Sequence, residues 1–296
     1  MSFPGSPTAR RRRLAAELRR LREQSGQTAE TVGTILGWSK AKISRYELAR
    51  SGLRPNDVEM MLDLYRVQGK RREQLLALAE EATQKGWWEL YADVVSEEHL
   101  AFIGLEAEAT SVLQWQINVI PALLQTEQYA REIFMGYQAV SRTAPTIIEG
   151  RVETRMIRQR VLTRDKPLDL HVVLDESVLR RQRGDRAVMY EQIQHLAEVV
   201  EQPNVTLQIL PLAGPKALAL DSFEILRFGQ AHDTPLHDVV TAEGPNNHLY
   251  VEGEIDTYEF ALAFEHLAQE SLSPEESREF ILRTARQLWA LPAGLG

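Results

Sequence analysis

Over its first 86 residues the chain places apolar side chains at helical spacing. Between Arg10 and Leu21, Leu14, Leu18 and Leu21 recur at i, i+4 and i+7, one stripe of an α-helix. Arg11, Arg12, Arg19, Arg20 and Arg22 cover much of the remaining surface. Ser25-Gly26 ends that helix, because glycine tolerates the left-handed conformation that closes a helix. Thr28 is placed to cap a second helix over Ala29–Leu36, with Val32, Ile35 and Leu36 facing inward. Gly37 breaks it, and Ser39 caps a third that runs through Tyr46 to about Ala49. A fourth starts at Leu53-Arg54-Pro55 and carries the stripe Val58, Met61, Leu62 and Tyr65. A fifth, from about Lys70 to Lys85, turns Leu75, Leu78, Ala79 and Ala82 to one face.

Beyond Gly86-Trp87-Trp88 the pattern becomes mixed. Helical periodicity covers Glu97–Gln116, Glu127–Gly136, Ile147–Leu162, Arg186–Glu201, Ile255–Glu270 and Pro274–Trp289. The last is announced by Ser273-Pro274-Glu275-Glu276, a capping box with proline in the first turn. Strand-like runs are Leu170–Leu174, Val205–Leu210, Phe223–Phe228, Asp238–Thr241 and His248–Val251, separated by Pro, Gly and Asn. The chain therefore reads as multidomain, an all-α unit of five helices over 1–86 followed by an α+β domain with a small sheet over 87–296.

Composition narrows the chemistry. With 296 residues and no cysteine, the chain has no disulfide scaffold, no thiol nucleophile and no thiolate zinc site. No stretch reaches the ~18 apolar residues of a membrane span. The arginines near the N-terminus lead into an amphipathic segment rather than a signal-peptide core, so a cytoplasmic location is expected. Charge is divided unevenly. Residues 1–86 hold 17 Lys and Arg against 10 Asp and Glu, whereas residues 87–296 hold 17 against 32. A basic end on an acidic body suits a protein that meets a polyanion at one end only; the alternative is ordinary charged helix surface.

The second and third helices, separated only by Gly37-Trp38, make the polyanion specific. A helix, a tight glycine-containing turn and another helix form the geometry that places the latter in a DNA major groove. Ile43 and Tyr46 point inward from the third helix, leaving Lys40, Ala41, Lys42, Ser44 and Arg45 outside. Lysine, serine and arginine suit base edges and phosphates, and arginine can reach guanine in bidentate fashion. A solvated basic helix is the plainer reading. RNA-binding signatures and Cys/His fingers are lacking, so double-stranded DNA is the expected partner.

The run LRRLREQSG…LGWSKAKISRYELARSGLRPNDVEMMLDLYRV resembles the helix-turn-helix domain of the phage-repressor or XRE family, most specifically in the ISRYE of its third helix. The resemblance implies base-reading positions at Lys40, Ala41, Ser44 and Arg45. It implies phosphate contacts near Thr28, Ser39, Arg50 and Arg54, and a structural pair, Arg22 with Glu47, joining the first and third helices. Truncating one member of such a buried pair costs about 3–5 kcal/mol. The family usually has glutamine after the cap of the second helix, where this chain has Ala29, and the arginine-rich first helix is expected to make up for that contact.

Candidate chemistry in the acidic half is sparse. His232-Asp233-Thr234-Pro235-Leu236-His237-Asp238 gathers potential metal ligands or general bases, but Thr-Pro is also a turn signal where polar residues serve local hydrogen bonds. Asp175-Glu176 is a carboxylate pair or a helix cap. No G-x-S-x-G and no phosphate-binding glycine loop is present, so neither catalysis nor a cofactor is expected. Trp87 and Trp88 lead an aromatic-rich stretch that serves either core packing or a partner. Arg151, Arg155 and Arg158 share a helix face, either as solvated surface or as a site for an acidic partner or anionic ligand.

The segments LEAEATSVLQWQINVIPALLQTEQYAR, RVETRMIRQRVL, VVLDESVLRR, PNVTLQILPL and SFEILRF resemble the domain that follows the helix-turn-helix in actinobacterial WhiJ-like regulators. Ala122 stands where the family has glycine in a Pro-Gly-Leu-Leu-Gln-Thr block. That resemblance implies a regulator that meets a small partner protein, sometimes in an antitoxin-like role. The expected function is a sequence-specific, homodimeric transcription regulator whose C-terminal domain dimerises or receives a signal from a small protein or ligand. The alternatives are an antitoxin-type protein that neutralises a small partner and autoregulates, and an enzyme with an appended DNA-binding domain.

Overall fold

In the computed structural model, residues 6–213, 218–230, 233–243, 248–251 and 254–290 are described. Five helices come first: α1 (Pro7–Gln24), α2 (Ala29–Leu36), α3 (Lys40–Glu47), α4 (Pro55–Leu64) and α5 (Gly69–Glu81). The leucine stripe of α1 meets Tyr46, Val58, Met61 and Leu75 in one core. Thr28 and Ser39 cap α2 and α3 as the sequence predicts, their hydroxyls accepting from Thr31 N and Lys42 N. Ile35 does not face inward. It is 56% exposed, because α2 centres its buried face on Val32 and Gly33 and Ile35 falls beyond that edge.

α1 begins three residues earlier than its leucine pattern indicates. Ser6 caps it, accepting from Ala9 N, and the Ser6 amide donates to a Glu108 carboxylate oxygen at 2.7 Å. The start of the helix is thus fixed by a residue about one hundred positions away, which no local pattern carries.

After a 3-10 turn at Trp87–Tyr91 come α6 (Glu97–Glu108), β1 (Ser111–Gln116), α7 (Glu127–Gly136), α8 (Pro145–Arg158), β2 (Asp169–Asp175) and α9 (Glu176–Arg180). There follow α10 (Arg186–Val199), β3 (Val205–Leu210), β4 (Phe223–Arg227), β5 (Val239–Glu243), β6 (His248–Val251), α11 (Glu254–Glu270) and α12 (Pro274–Thr284). The strands form one mixed sheet in the order β3-β2-β1-β4-β5-β6. β1, β2 and β3 run parallel, and β4, β5 and β6 are joined antiparallel.

The helix expected over Glu97–Gln116 is corrected to a helix and a strand. α6 stops at Glu108, Thr110 N donates to Arg227 O at 2.9 Å, and Ser111–Gln116 pairs with β2 on one side and β4 on the other. A six-residue run buried on both faces has no alternation to distinguish it from a buried helix, and the two ladders decide its state.

Alternation along the sheet separates two cores. Val112, Leu170, Val172 and Ile209 lie in the larger, together with residues of α6, α7, α10 and α12. Leu113, Trp115, Val173 and Ile225 face Phe264 and Leu267 of α11 on the other side. Asp175 is the cap of α9, its carboxylate accepting from Ser177 N at 2.9 Å, so the Asp175-Glu176 pair serves the backbone. Ser273 and Glu276 form the capping box of α12.

The five-helix unit is seated on the sheet domain through α1. Ala9 joins the larger core beside Phe102 and Leu105. Arg13 is 1% exposed and donates to Gly229 O and Thr234 O, both at 2.7 Å, with Glu108 at 3.7 Å. Its charge is thus met by two carbonyl oxygens and a carboxylate. Gly104 in α6 makes the close approach possible, since a Cβ there would lie 2.5 Å from the Thr8 hydroxyl.

Candidate nucleic-acid interface

α2 and α3 are joined through Gly37, whose φ of 69° is the left-handed conformation a helix end asks of glycine. Gly33 serves a different need. A Cβ there would meet the Trp38 carbonyl oxygen at 2.7 Å, so the turn packs against α2 only because position 33 has no side chain. Ile43, fully buried, and Tyr46, nearly so, anchor α3 to the core. Arg22 of α1 holds the end of α3 by a bidentate bond to Glu47, at 2.7 and 3.0 Å, and its third nitrogen donates to Gln27 O. The paired carboxylate and guanidinium are both largely buried, which fits the structural role expected of Arg22 and Glu47.

Anchored this way, α3 turns Lys40, Ala41 and Arg45 to solvent, with Ser44 half-buried beside them. Lys42 behaves differently from its neighbours. Its ammonium lies 3.6 Å from the Trp38 ring centroid and 2.9 Å from Asp57, so its charge is directed back onto the domain. The cause is Asp57 in the first turn of α4, which also accepts the Tyr46 hydroxyl. Burial, then the hydrogen bond to Asp57, pushes the Tyr46 phenol up to about 12. Burial works against ionisation of Asp57, but hydrogen bonds from Tyr46 and Lys42 outweigh it and hold that carboxyl below its ordinary range.

Arg50 and Arg54, between α3 and α4, are exposed, and Arg54 occupies the cap position of α4 without a side-chain cap bond. Among the described residues, Lys40, Arg45, Arg50 and Arg54 have no ion-pair partner. Most arginines of α1 are used otherwise; Arg11, whose Nε has no hydrogen-bond partner among the described residues, is the exception. Arg10 pairs with Glu81, Arg12 lies over the Tyr250 ring, Arg13 is sealed against the sheet domain, and Arg19 and Arg20 pair with Glu23 and Glu17. Arg10, Arg12 and Arg13 are thus engaged within the protein, whereas Arg19 and Arg20 stay more than half exposed. Of these, the buried Arg13 guanidinium joins the helical unit to the sheet domain.

In the acidic half, Arg151, Arg155 and Arg158 do come together, along one wall of a cavity of about 320 Å³ between α6, α7, α8 and the start of β4. Their roles differ. Arg158 is 4% exposed and forms a bidentate pair with Glu106 at 2.9 and 2.7 Å, so its charge is internal. The Arg155 guanidinium lies 4.3 Å from the Phe134 ring centroid and donates to Gln125 Oε1 at 2.7 Å. Arg151 donates Nε to Val94 O at 2.8 Å and lines the cavity. Trp87 and Trp88 do not line it. They form an edge-to-face group with Tyr91, and Trp88 packs beside Gly104, where α1 crosses α6; burial there is incompatible with a partner-binding role for Trp88.

Sequence reading missed the polar wall opposite these arginines. Gln114 and Gln116 from β1, and Glu224 from β4, project from one face of the sheet into the cavity. With Ser111–Gln116 read as helix, no alternation places the two glutamines. Of the seven-residue His/Asp segment, His232 lies outside the described residues. Asp233 accepts from Gln74 at 2.8 Å and Asp238 pairs with Arg227 at 3.4 Å. Among the described residues, no three His, Asp or Glu side chains gather as metal ligands, and no helix is long and apolar enough to cross a membrane.

A capped helix, a glycine turn and an anchored second helix with outward cations define a helix-turn-helix DNA-binding protein, and a helix-turn-helix domain matches residues 13–75. Residues 100–283, more than half of the chain, match the family described as a domain of unknown function (DUF5753), and the chain belongs to that family. No curated protein and no solved structure matches the chain.

Proposed function

We propose that this protein is a sequence-specific transcription regulator that acts by binding, not by catalysis, and works as a homodimer on the nucleoid. Lys40, Ala41, Ser44 and Arg45 read base edges, while Thr28, Ser39, Arg50 and Arg54 lie along phosphates. A dimer would set two copies of α3 about 34 Å apart, one turn of DNA, on a pseudopalindromic site. The acidic domain receives the signal, in the manner of WhiJ-like regulators.

The observation that supports this reading most strongly is the division of cations in the helical unit. Arg10, Arg12, Arg13, Arg19, Arg20 and Arg22 of α1 meet carboxylates, carbonyls or an aromatic ring. Lys40, Arg45, Arg50 and Arg54 around α3 are exposed. Unneutralised charge clustered at one helix has a cost in self-repulsion that phosphate contact relieves.

Two substitutions separate base reading from phosphate contact. Arg45→Ala is expected to cost about 1–3 kcal/mol and relax preference at one base position. Arg54→Ala is expected to weaken all sequences alike and lower the salt slope by about one. Identical behaviour of the two would refute the placement of α3. An antitoxin-type role would instead show as tight capture and neutralisation of a small cognate protein, a capture that Arg45→Ala leaves unaffected.

A further inference from the structure

The cavity in the acidic half lies beside β1. From β1 the chain crosses to β2 and β3 on one side, then returns to place β4 on the other, so the strand order reverses at β1. There the parallel strands meet the antiparallel ones, and the chain leaves the end of β1 through Val119, Pro121 and Ala122, which line the cavity. It is closed over by α6 and α8 into a space of about 320 Å³, within the range of small-ligand sites.

Its walls are chemically distinct. Arg151 and Arg155 stand on the α8 side in a domain whose overall balance is strongly acidic. Phe134 and Tyr137 supply aromatic surface beside them. The sheet side carries Gln114, which donates to Glu224 at 2.6 Å, and Gln116, whose side-chain amide makes no hydrogen bond among the described residues. Such an amide offers both a donor and an acceptor to an occupant of the cavity. Charge, aromatic surface and a waiting amide together fit one chemical class.

We propose that this cavity is an effector site for a small organic acid with an apolar body, its carboxylate toward Arg151 and its far end bonded to Gln116. The inference deepens the signal-receiving role of the acidic domain and rests on that reading. Occupancy has a physical route to the DNA-binding unit. α6 presents His99 and Phe102 to the cavity, while Gly104 and Glu108 of the same helix hold Thr8, Ser6 and Arg13 of the N-terminal segment. A ligand that prefers one position of α6 therefore shifts how α1 is seated, by as much as its affinities for the two positions differ.

The test is calorimetric titration of the full chain with benzoate, 2-naphthoate and octanoate, alongside the neutral 2-naphthamide and inorganic phosphate. At least one of the three acids should bind in the millimolar range or tighter, and more tightly than phosphate. If 2-naphthoate is that acid, the amide should bind at least tenfold more weakly. Arg151→Gln should weaken the bound acid at least tenfold while the chain stays folded at the titration temperature, as circular dichroism would record. Ala122→Phe, which fills the cavity from its rim, should abolish it. Failure of all three acids, or an acid whose affinity both variants leave unchanged, overturns the site. Because this arm needs no DNA, its failure is distinct from failure of the regulator reading. A bound acid that leaves affinity for the protein's own upstream DNA unchanged overturns the regulatory role alone.

Discussion

Replacing Arg13 by methionine tests how the two halves are joined. Methionine keeps much of the stem volume and removes the guanidinium. The change strips the donors from Gly229 O and Thr234 O, both 2.7 Å from Arg13, and leaves Glu108 with the Ser6 amide as its remaining partner at this junction. A hydrogen bond to a charged group contributes about 1.5–3 kcal/mol, and removing one side of a buried charged contact costs about 3–5 kcal/mol. With Arg13 1% exposed, water does not replace the lost donors without opening the junction, so a loss of about 3–5 kcal/mol is expected. Arg19→Met is the control on the same helix. Arg19 is more than half exposed and pairs with Glu23 at i+4, a contact worth about 0.3–0.5 kcal/mol. Urea unfolding followed by tryptophan fluorescence reads both, since Trp88 lies where α1 crosses α6. If Arg13→Met falls within about 1 kcal/mol of the parent, or matches Arg19→Met, the account of the junction is wrong.

Three further outcomes follow from the helical unit. Arg22→Ala and Glu47→Ala should each cost about 3–5 kcal/mol, and the double variant should cost clearly less than their sum, as a double-mutant cycle would record. Gly33→Ala forces the Trp38 carbonyl to move and should cost about 1–3 kcal/mol and weaken DNA binding with it, which thermal melting and a gel-shift titration would check together. The Tyr46 phenol, raised to about 12 chiefly by burial, stays protonated in the folded protein while the unfolded chain ionises near 10. Stability should therefore be full below about pH 10 and fall as pH rises toward 12, and Tyr46→Phe should flatten that part of a urea-midpoint profile.

How far the sequence discloses the molecule depends on whether a residue's partner is near it in the chain. Thr28 and Ser39 cap helices by bonds three residues long, and both were legible. So were the helices whose leucines repeat within one stripe. The strand Ser111–Gln116 was not, because pairing with Asp169–Asp175 and Phe223–Arg227 decides it and neither is local. Arg12 of α1 is a case of the same kind. From sequence alone Arg12 looks like part of a basic surface, and only the approach of Tyr250 shows that it is taken. Lys42 is a milder instance, drawn from α3's outer face by Asp57. The arginines of α8 were found from helical spacing, but the glutamines facing them required the correct strand.

The central claim is that α3 reads a DNA sequence. The most direct test is binding of the full chain to the DNA upstream of its own gene, at two salt concentrations, with excess random DNA as competitor. The account predicts a complex that survives the competitor at both salts and that Arg45→Ala weakens, with preference relaxed at one base position. A complex that random DNA abolishes at both salts would contradict it.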